Sequence, residues 1–370
     1  MNIALCTPFK PLNHPKISGD VTIARDLAAG LAGLGHTVNV LPHFPARLIW
    51  ERPSLWPGAF LALGRMVRAA RGADCWLTYG SYYKVPDVFG PGGARRLGIP
   101  YFIFQASYAQ KRGQRPATWP GYRLNRRAML RADHVFLNRA ADGEGCAKLL
   151  PAHRFSLVRP GLPAGLFARD EAARDRLRAE WAAGDALVVA TVAMMRPGVK
   201  VEGLRWVVET CAELVGRGRD LRLVVAGDGP CRAEAESAAR ERLGDRVRFL
   251  GRMARAELAG FFSAADLFAF PGLRESVGMA YLEAQACGLP VVATDDEGAP
   301  QVVAHERSGL ICPADPAAFT EAVDRLAGSP DLLARLAAQA PRYVVERHDL
   351  EANYRVMAET MQSIVAGGRQ

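Results

Sequence analysis

The chain has 370 residues, 49% of them hydrophobic and 23% charged, which suits a folded protein of two domains and excludes a disordered or collagen-like polymer. Seven scattered cysteines, none in a Cys-x2-Cys pair, argue against a disulfide framework or a structural zinc site and predict reduced thiols in the cytoplasm. The net charge of +9 is uneven: residues 1–165 hold 5 Lys and 17 Arg against 8 acidic residues, so the first half should meet an anionic substrate, an anionic lipid surface or nucleic acid.

Residues 2–7 read as an apolar strand, followed by a loop to Gly19 and a helix over residues 21–34 with Ile23, Leu27, Leu31 and Leu34 on one side. Gly35 and His36 close that helix, and residues 38–41 begin a second strand, a βαβ opening for a parallel sheet. Short strands recur at 75–78, 101–104, 134–137 and 155–158, and the phrase from Leu157 to Leu162 looks like a domain end. Residues 48–66 combine Trp50, Trp56, Phe60 and Leu63 with Arg52 and Arg65, a packed helix or one that lies on a membrane surface. A second series starts with a strand at 186–192, a helix at 202–214 and a strand at 221–226, then strands at 247–250, 267–270, 291–294 and 310–311. Residues 349–364 read as an amphipathic helix. No apolar run reaches the roughly 18 residues of a membrane span, and the first residues lack the basic leader of a signal peptide.

The most telling stretch runs from Phe268 to Thr294 as strand, loop, helix, turn and strand. Ser276 is the expected cap, Gly288 suits a left-handed end, and Pro290 stops propagation. The amides of Ser276, Val277 and Gly278 would then leave a helix N-terminus, a ready anion site, between Glu275 just before the helix and Glu283 two turns into it. Amides for phosphate and carboxylates for hydroxyls suit a sugar phosphate. Gly19, just before a helix, is another phosphate-loop candidate, and Asp20 beside it is either a negative group near the ligand or the helix cap.

Pro271, Glu275, Gly278, Glu283, Ala284, Gly288 and Pro290 stand in the order and spacing of the Glu-x7-Glu region of the family-4 retaining glycosyltransferases. The resemblance covers nearly the whole chain and is strongest from Thr191 to Pro313. It implies the α/β GT-B fold: two Rossmann-like, doubly wound domains facing across a cleft, an acceptor-side domain over 1–165 and a nucleotide-sugar domain over 166–348, with the helix from about 349–370 crossing back to the first domain. It further implies that Arg196 and Lys200 hold the donor diphosphate, that Gly227 and the backbone near Arg252 and Met253 flank the base, that Glu283 accepts from ribose hydroxyls, and that Glu275 faces the donor sugar. Glu275, Lys200 and Arg196 are then the catalytic set. Two fixed cations stabilise a departing diphosphate more than the ground state, so neither a metal nor a cofactor is required. The family retains configuration without an accepted enzymic nucleophile, so the paired-carboxylate logic of glycosidases does not transfer.

Where many relatives carry a histidine after the strand at 101–104, this chain has Gln105, which becomes the acceptor candidate with Lys111, Arg112 and Arg115. The basic run from Lys111 to Arg131 is either a solvated face or a binding site for an anionic or lipid-linked acceptor. The resemblance implies transfer of a sugar from a nucleotide diphosphate sugar to a glycan, glycolipid or lipid-linked hydroxyl in cell-surface polysaccharide or lipopolysaccharide assembly, in the cytoplasm or at the inner face of the membrane. The alternatives are a retaining sugar phosphorylase, a catalytically silent protein of the same fold, and a basic nucleic-acid-binding protein, which lacks a recognition motif.

Overall fold

The computed structural model describes residues 1–15 and 19–368. The chain forms two compact units, one made of Met1–Arg159 with the residues from Leu350 onward, the other of Pro160–Asp349. The division therefore falls at Arg159, ahead of the boundary expected at 165.

Unit 1 contains β1 (Asn2–Cys6), α1 (Gly19–Gly33), β2 (Thr37–Val40), α2 (Trp56–Ala69), β3 (Cys75–Ser81), α3 (Gly90–Leu97), β4 (Tyr101–Ala106), α4 (Trp119–Arg131), β5 (His134–Leu137), α5 (Ala141–Ala147) and β6 (Phe155–Leu157). The strands form a parallel sheet in the order β2-β1-β3-β4-β5-β6. Parallel strands are covered on both faces, which is why β3, β4 and β5 read as apolar runs rather than alternating ones. One face packs Trp76, Ile103 and Val135 against Ala62 and Met66 of α2, Ala94 of α3 and Met129 of α4. The other packs Leu5, Phe102 and Phe104 against Leu27 and Leu31 of α1 and against Tyr354, Met357 and Met361 of the C-terminal helix, Leu350–Gly367. Each buried Val, Leu, Ile, Phe or Met among them contributes about 1.5–3 kcal/mol. At Gly30 a Cβ would stand 2.5 Å from the Tyr354 ring, so α1 and the C-terminal helix approach closely there.

Two corrections to the sequence reading arise in this unit. Helix α1 begins at Gly19, so Asp20 lies inside its first turn rather than before it as a cap, and Ser18 lies outside the described residues. The helix expected over 48–66 starts only at Trp56, because the residues before it form two short 3-10 turns, Ile49–Glu51 and Pro53–Leu55.

Unit 2 contains α6 (Glu171–Glu180), β7 (Leu187–Val192), α7 (Val199–Gly216), β8 (Leu221–Ala226), α8 (Arg232–Leu243), β9 (Val247–Gly251), α9 (Leu258–Ser263), β10 (Leu267–Ala269), α10 (Met279–Ala286), β11 (Val291–Thr294), β12 (Gly309–Cys312), α11 (Pro316–Ala327) and α12 (Pro330–His348). Its parallel sheet runs β12-β11-β10-β7-β8-β9. Strands β7, β8 and β9 proceed in one direction, and the chain then returns to the other side of β7 with β10. The point between β7 and β10 is thus the topological switch, where loops at the carboxyl ends diverge and leave room for a ligand. Asp266 anchors the framework beneath it, accepting from Arg174 at 2.7 Å, Arg178 at 2.9 Å and the Val188 amide at 2.8 Å. This network pins α6 to β7 and β10, and removing one partner of such a largely buried set typically costs about 3 kcal/mol.

Candidate active site

Three loops crowd the carboxyl ends of β7, β8 and β9, and glycines permit it. Gly227 has φ +127, and a Cβ there would meet the Ala193 carbonyl at 2.0 Å; at Gly229 a Cβ would meet the Met195 carbonyl at 2.3 Å. The Gly227 amide donates to the Gly251 carbonyl at 2.7 Å and the Met195 amide to the Asp228 carbonyl at 3.2 Å. The loop after β7 is therefore held at Met195, which is buried, with Arg196 exposed at its tip.

Helix α7 starts right after this loop, with Gly198 at its N-cap and no side chain capping it. Lys200 in its first turn forms an ion pair with Glu275 from the loop after β10, and its ammonium also lies 5.7 Å from the Phe270 ring centroid. Burial pushes the Lys200 ammonium below the ordinary lysine value, while the carboxylate beside it favours the charged form.

Helix α10 corrects the expected start. It begins at Met279, not after Ser276, and its N-cap is Gly278 at φ 77, again with no side-chain cap. A left-handed residue cannot continue a helix, and a Cβ at 278 would stand 2.3 Å from the Tyr281 ring, so Gly278 itself sets the boundary. The open amides are therefore those at the Met279 end, with Ser276 exposed and Val277 buried ahead of them. Glu283 accordingly lies one turn into the helix, not two. The Glu275 loop is braced from behind, since a Cβ on Gly298 would meet the Glu275 carbonyl at 2.4 Å and the Arg274 amide donates to Asp296 at 3.1 Å.

Glu283 is 8% exposed and has the guanidinium of Arg255 at 3.4 Å. Arg252 and Met253, the residues singled out in the sequence, lie just before it, with Arg252 exposed. The sequence reading missed Arg255; an arginine three residues further along the same loop was the available signal. Arg255 is also stacked 5.8 Å from the Phe167 ring.

On unit 1, Gln105, the last residue but one of β4, has φ 62, an uncommon backbone state for a residue with a side chain, and its Oε1 is buried without a hydrogen-bond partner among the described residues. Neighbouring strand ends show the same feature. Among the described residues, Thr7, just past β1, has a buried hydroxyl without a partner, and Asn138, just past β5, is 2% exposed with both amide atoms unpartnered. Thr7 and Asn138 were not found from sequence; a polar residue directly after an apolar strand was the signal. Lys111 and Arg115 are exposed, away from these atoms' buried setting, while Arg112 stacks 4.6 Å from the Tyr83 ring.

Residues 186–329, which hold Lys200, Gly227, Arg255, Glu275 and Glu283, match the family described as Glycosyl transferases group 1. Over 274 residues the chain is 31% identical to a GDP-mannose-dependent alpha-mannosyltransferase of Mycolicibacterium smegmatis, covering 70% of this chain and 68% of that one. The chain belongs to the group 1 glycosyl transferases. This glycosyltransferase is also 29% identical over 276 residues to the alpha-D-kanosaminyltransferase of Streptomyces kanamyceticus, covering 70% of one chain and 69% of the other. Its fold is shared with Anabaena Alr3699/HepE, solved in complex with UDP, at a TM-score of 0.79 and 19% identity over 98% of this chain and 100% of that one. The transferase is thus a GT-B protein with two Rossmann-like domains, and its activity is the transfer of a sugar. At the switch point of unit 2 the transferase presents two uncapped helix N-termini, a lysine and a carboxylate, an arrangement able to hold an anion beside a hydroxyl-bearing group.

Proposed function

We propose that the glycosyltransferase takes a nucleoside diphosphate sugar as donor and passes the sugar, with retained configuration, to a hydroxyl of a glycan, glycolipid or lipid-linked acceptor in cell-surface polysaccharide or lipopolysaccharide assembly. The observation that carries this reading is the ion pair of Lys200 with Glu275 across the topological switch. The ion pair lets the two charges satisfy each other. An arriving diphosphate competes for the Lys200 ammonium, and Glu275 is released to accept from sugar hydroxyls. Arg196, exposed one turn before Lys200, closes on the diphosphate from the loop tip. The open amides of α7 and α10 add two fixed dipoles. As the glycosidic bond breaks, negative charge grows on the diphosphate, and these groups stabilise it most in the transition state. Neutralisation is supplied by the protein, so the reaction needs no metal ion. Glu283, oriented by Arg255, accepts from the ribose hydroxyls, and the loops at Gly227 and at Arg252 and Met253 flank the base. On the acceptor side, the unpartnered polar atoms of Thr7, Gln105 and Asn138 offer hydrogen bonds to hydroxyls.

The test is a thermal-shift panel of UDP, GDP and ADP with their common sugar conjugates, on wild type and Lys200→Ala. One nucleotide series should stabilise the wild type, and the variant should lose that shift. Proton NMR of the product's anomeric signal then reads retention, and chelator should leave the rate unchanged. A set of nucleotides that all leave the melting temperature unmoved, or an inverted product, overturns the reading.

A further inference from the structure

Unit 1 carries positive charge that the protein does not use internally. From residue 88 to residue 132 there is no carboxylate, while nine Lys and Arg occur; residues 52–73 likewise hold four arginines and no carboxylate. Unit 2 treats its arginines differently: Arg174 and Arg178 share Asp266, and Arg217 and Arg219 share Asp324. Among the described residues no arginine between Arg52 and Arg131 has an ion-pair partner.

These charges are gathered on one side. Helices α2, α3 and α4 cover the same face of the unit 1 sheet, with α3 touching both of the others. Arg127 and Arg131, one turn apart on α4, face Arg95 of α3 across a groove of about 210 Å³ floored by Tyr101. The one carboxylate at its rim, Asp133, is engaged by the Tyr101 amide at 2.7 Å. Like charges one turn apart oppose each other in the free protein, and an anion between them removes that penalty.

Large apolar side chains project from the same helices. On α2, Phe60 is 67% and Leu61 72% exposed, with Arg65 and Arg68 following. At the start of α4, Trp119 is 48% exposed, and the Arg123 guanidinium lies 5.2 Å from its ring centroid. Adjacent exposed apolar residues flanked by unpaired arginines match the layering of a bilayer surface, acyl chains beneath phosphates. Nucleic acid would use the charge but gives no role to an aliphatic Leu61 on an outer helix face.

We propose that the α2–α3–α4 face of unit 1 docks on an anionic lipid bilayer, Phe60, Leu61 and Trp119 entering the interface while Arg95, Arg127 and Arg131 receive lipid phosphates. The groove lies where β4 and β5 begin, the sheet edge opposite Gln105 and Asn138, so docking leaves those polar atoms uncovered. The inference rests on unit 1 and stands or falls separately from the donor reading.

The experiment is cosedimentation of the full chain with vesicles of phosphatidylcholine alone or with about 30% phosphatidylglycerol, at about 0.1 M and about 1 M salt. Two surface variants, Phe60→Ser with Leu61→Ser and Arg127→Glu with Arg131→Glu, are compared after their melting temperatures are shown to match wild type. Wild type should sediment with the anionic vesicles at low salt only, and each variant should lose about tenfold in affinity. Equal binding to both vesicle types, an unaffected Phe60/Leu61 variant, displacement by inorganic phosphate at millimolar level, or tighter binding to single-stranded DNA than to vesicles at equal phosphate would each overturn the proposal.

Discussion

Lys200 and Glu275 are 75 residues apart in the chain and meet as an ion pair where the sheet of unit 2 reverses its strand order. Lys200 opens the helix after β7, and Glu275 lies in the loop after β10 that Gly298 and Asp296 brace from behind. The contact is local to the switch, so it links the two loops that must cooperate if an anion is to be held there.

Lys200→Ala and Glu275→Ala should each lower kcat by about 10²–10³, the usual cost of losing one group that meets developing charge. The double variant should fall short of the product of the two losses, because each side chain is the other's partner, with a coupling of about 1 kcal/mol. Stability should change little, by about 0–1 kcal/mol, since both side chains keep water contact at 21% and 27% exposure. Steady-state kinetics with melting temperatures of the four proteins check this. Near-normal turnover in either single variant would remove the assignment.

Raising the pH should weaken nucleotide binding to wild type before an exposed lysine would lose its charge. The sign follows from burial: the free protein's Lys200 sits below the ordinary 10.5, so its proton leaves earlier as pH rises, and the diphosphate loses a cation. Lys200→Arg keeps its charge throughout, so its dissociation constant should stay flat over the same range. Isothermal titration with nucleoside diphosphate across the alkaline range decides the matter, and parallel curves for the two proteins would exclude Lys200 as the titrating group.

Arg255 separates what the sequence pattern located from what the structure adds. Arg255→Ala should raise the donor KM by about tenfold with little change in kcat if, as proposed, it orients Glu283 on a part of the donor that does not react. Arg252→Ala should change KM by less than about twofold, since that side chain is exposed and the proposed contact with the base uses only its backbone. The reverse ranking would return the role to Arg252.

The two-domain α/β layout was legible because doubly buried parallel strands leave short apolar runs, such as residues 223–226 and 291–293, between helical periodicities. The Glu275 to Pro290 spacing pointed to the candidate loop through its resemblance to a known family's pattern. The start of α10 was misread because serine capping and a left-handed glycine are both locally plausible, and the Tyr281 ring packed against Gly278 decides between them. Arg255, Thr7 and Asn138 escaped because ion pairing and burial are tertiary facts: nothing in the order Leu137-Asn138-Arg139 says that the amide is sealed from water.

Gly227→Ala should destabilise unit 2 by several kcal/mol. Its backbone is left-handed, and the added methyl would have to displace the Ala193 carbonyl that shapes the Lys200 loop. At about 2–4 °C per kcal/mol for a unit of this size, the melting temperature should drop by about 10 °C. An unchanged melting temperature would mean that the loop yields easily and that the close packing is incidental.

Asn138→Leu tests the acceptor side and gives opposite signs for stability and activity. The native amide is enclosed with both polar atoms unpartnered among the described residues, a state that typically costs about 1–3 kcal/mol. An apolar side chain of similar size removes that cost, so the variant should melt about 2–12 °C higher. If the amide is kept because acceptor hydroxyls complete its hydrogen bonds, the same change should raise the acceptor KM by about tenfold, while slow release of nucleoside diphosphate without acceptor stays at the wild-type rate. A lower melting temperature would show that the amide is satisfied within the fold, and an unchanged acceptor KM would exclude it from the acceptor subsite.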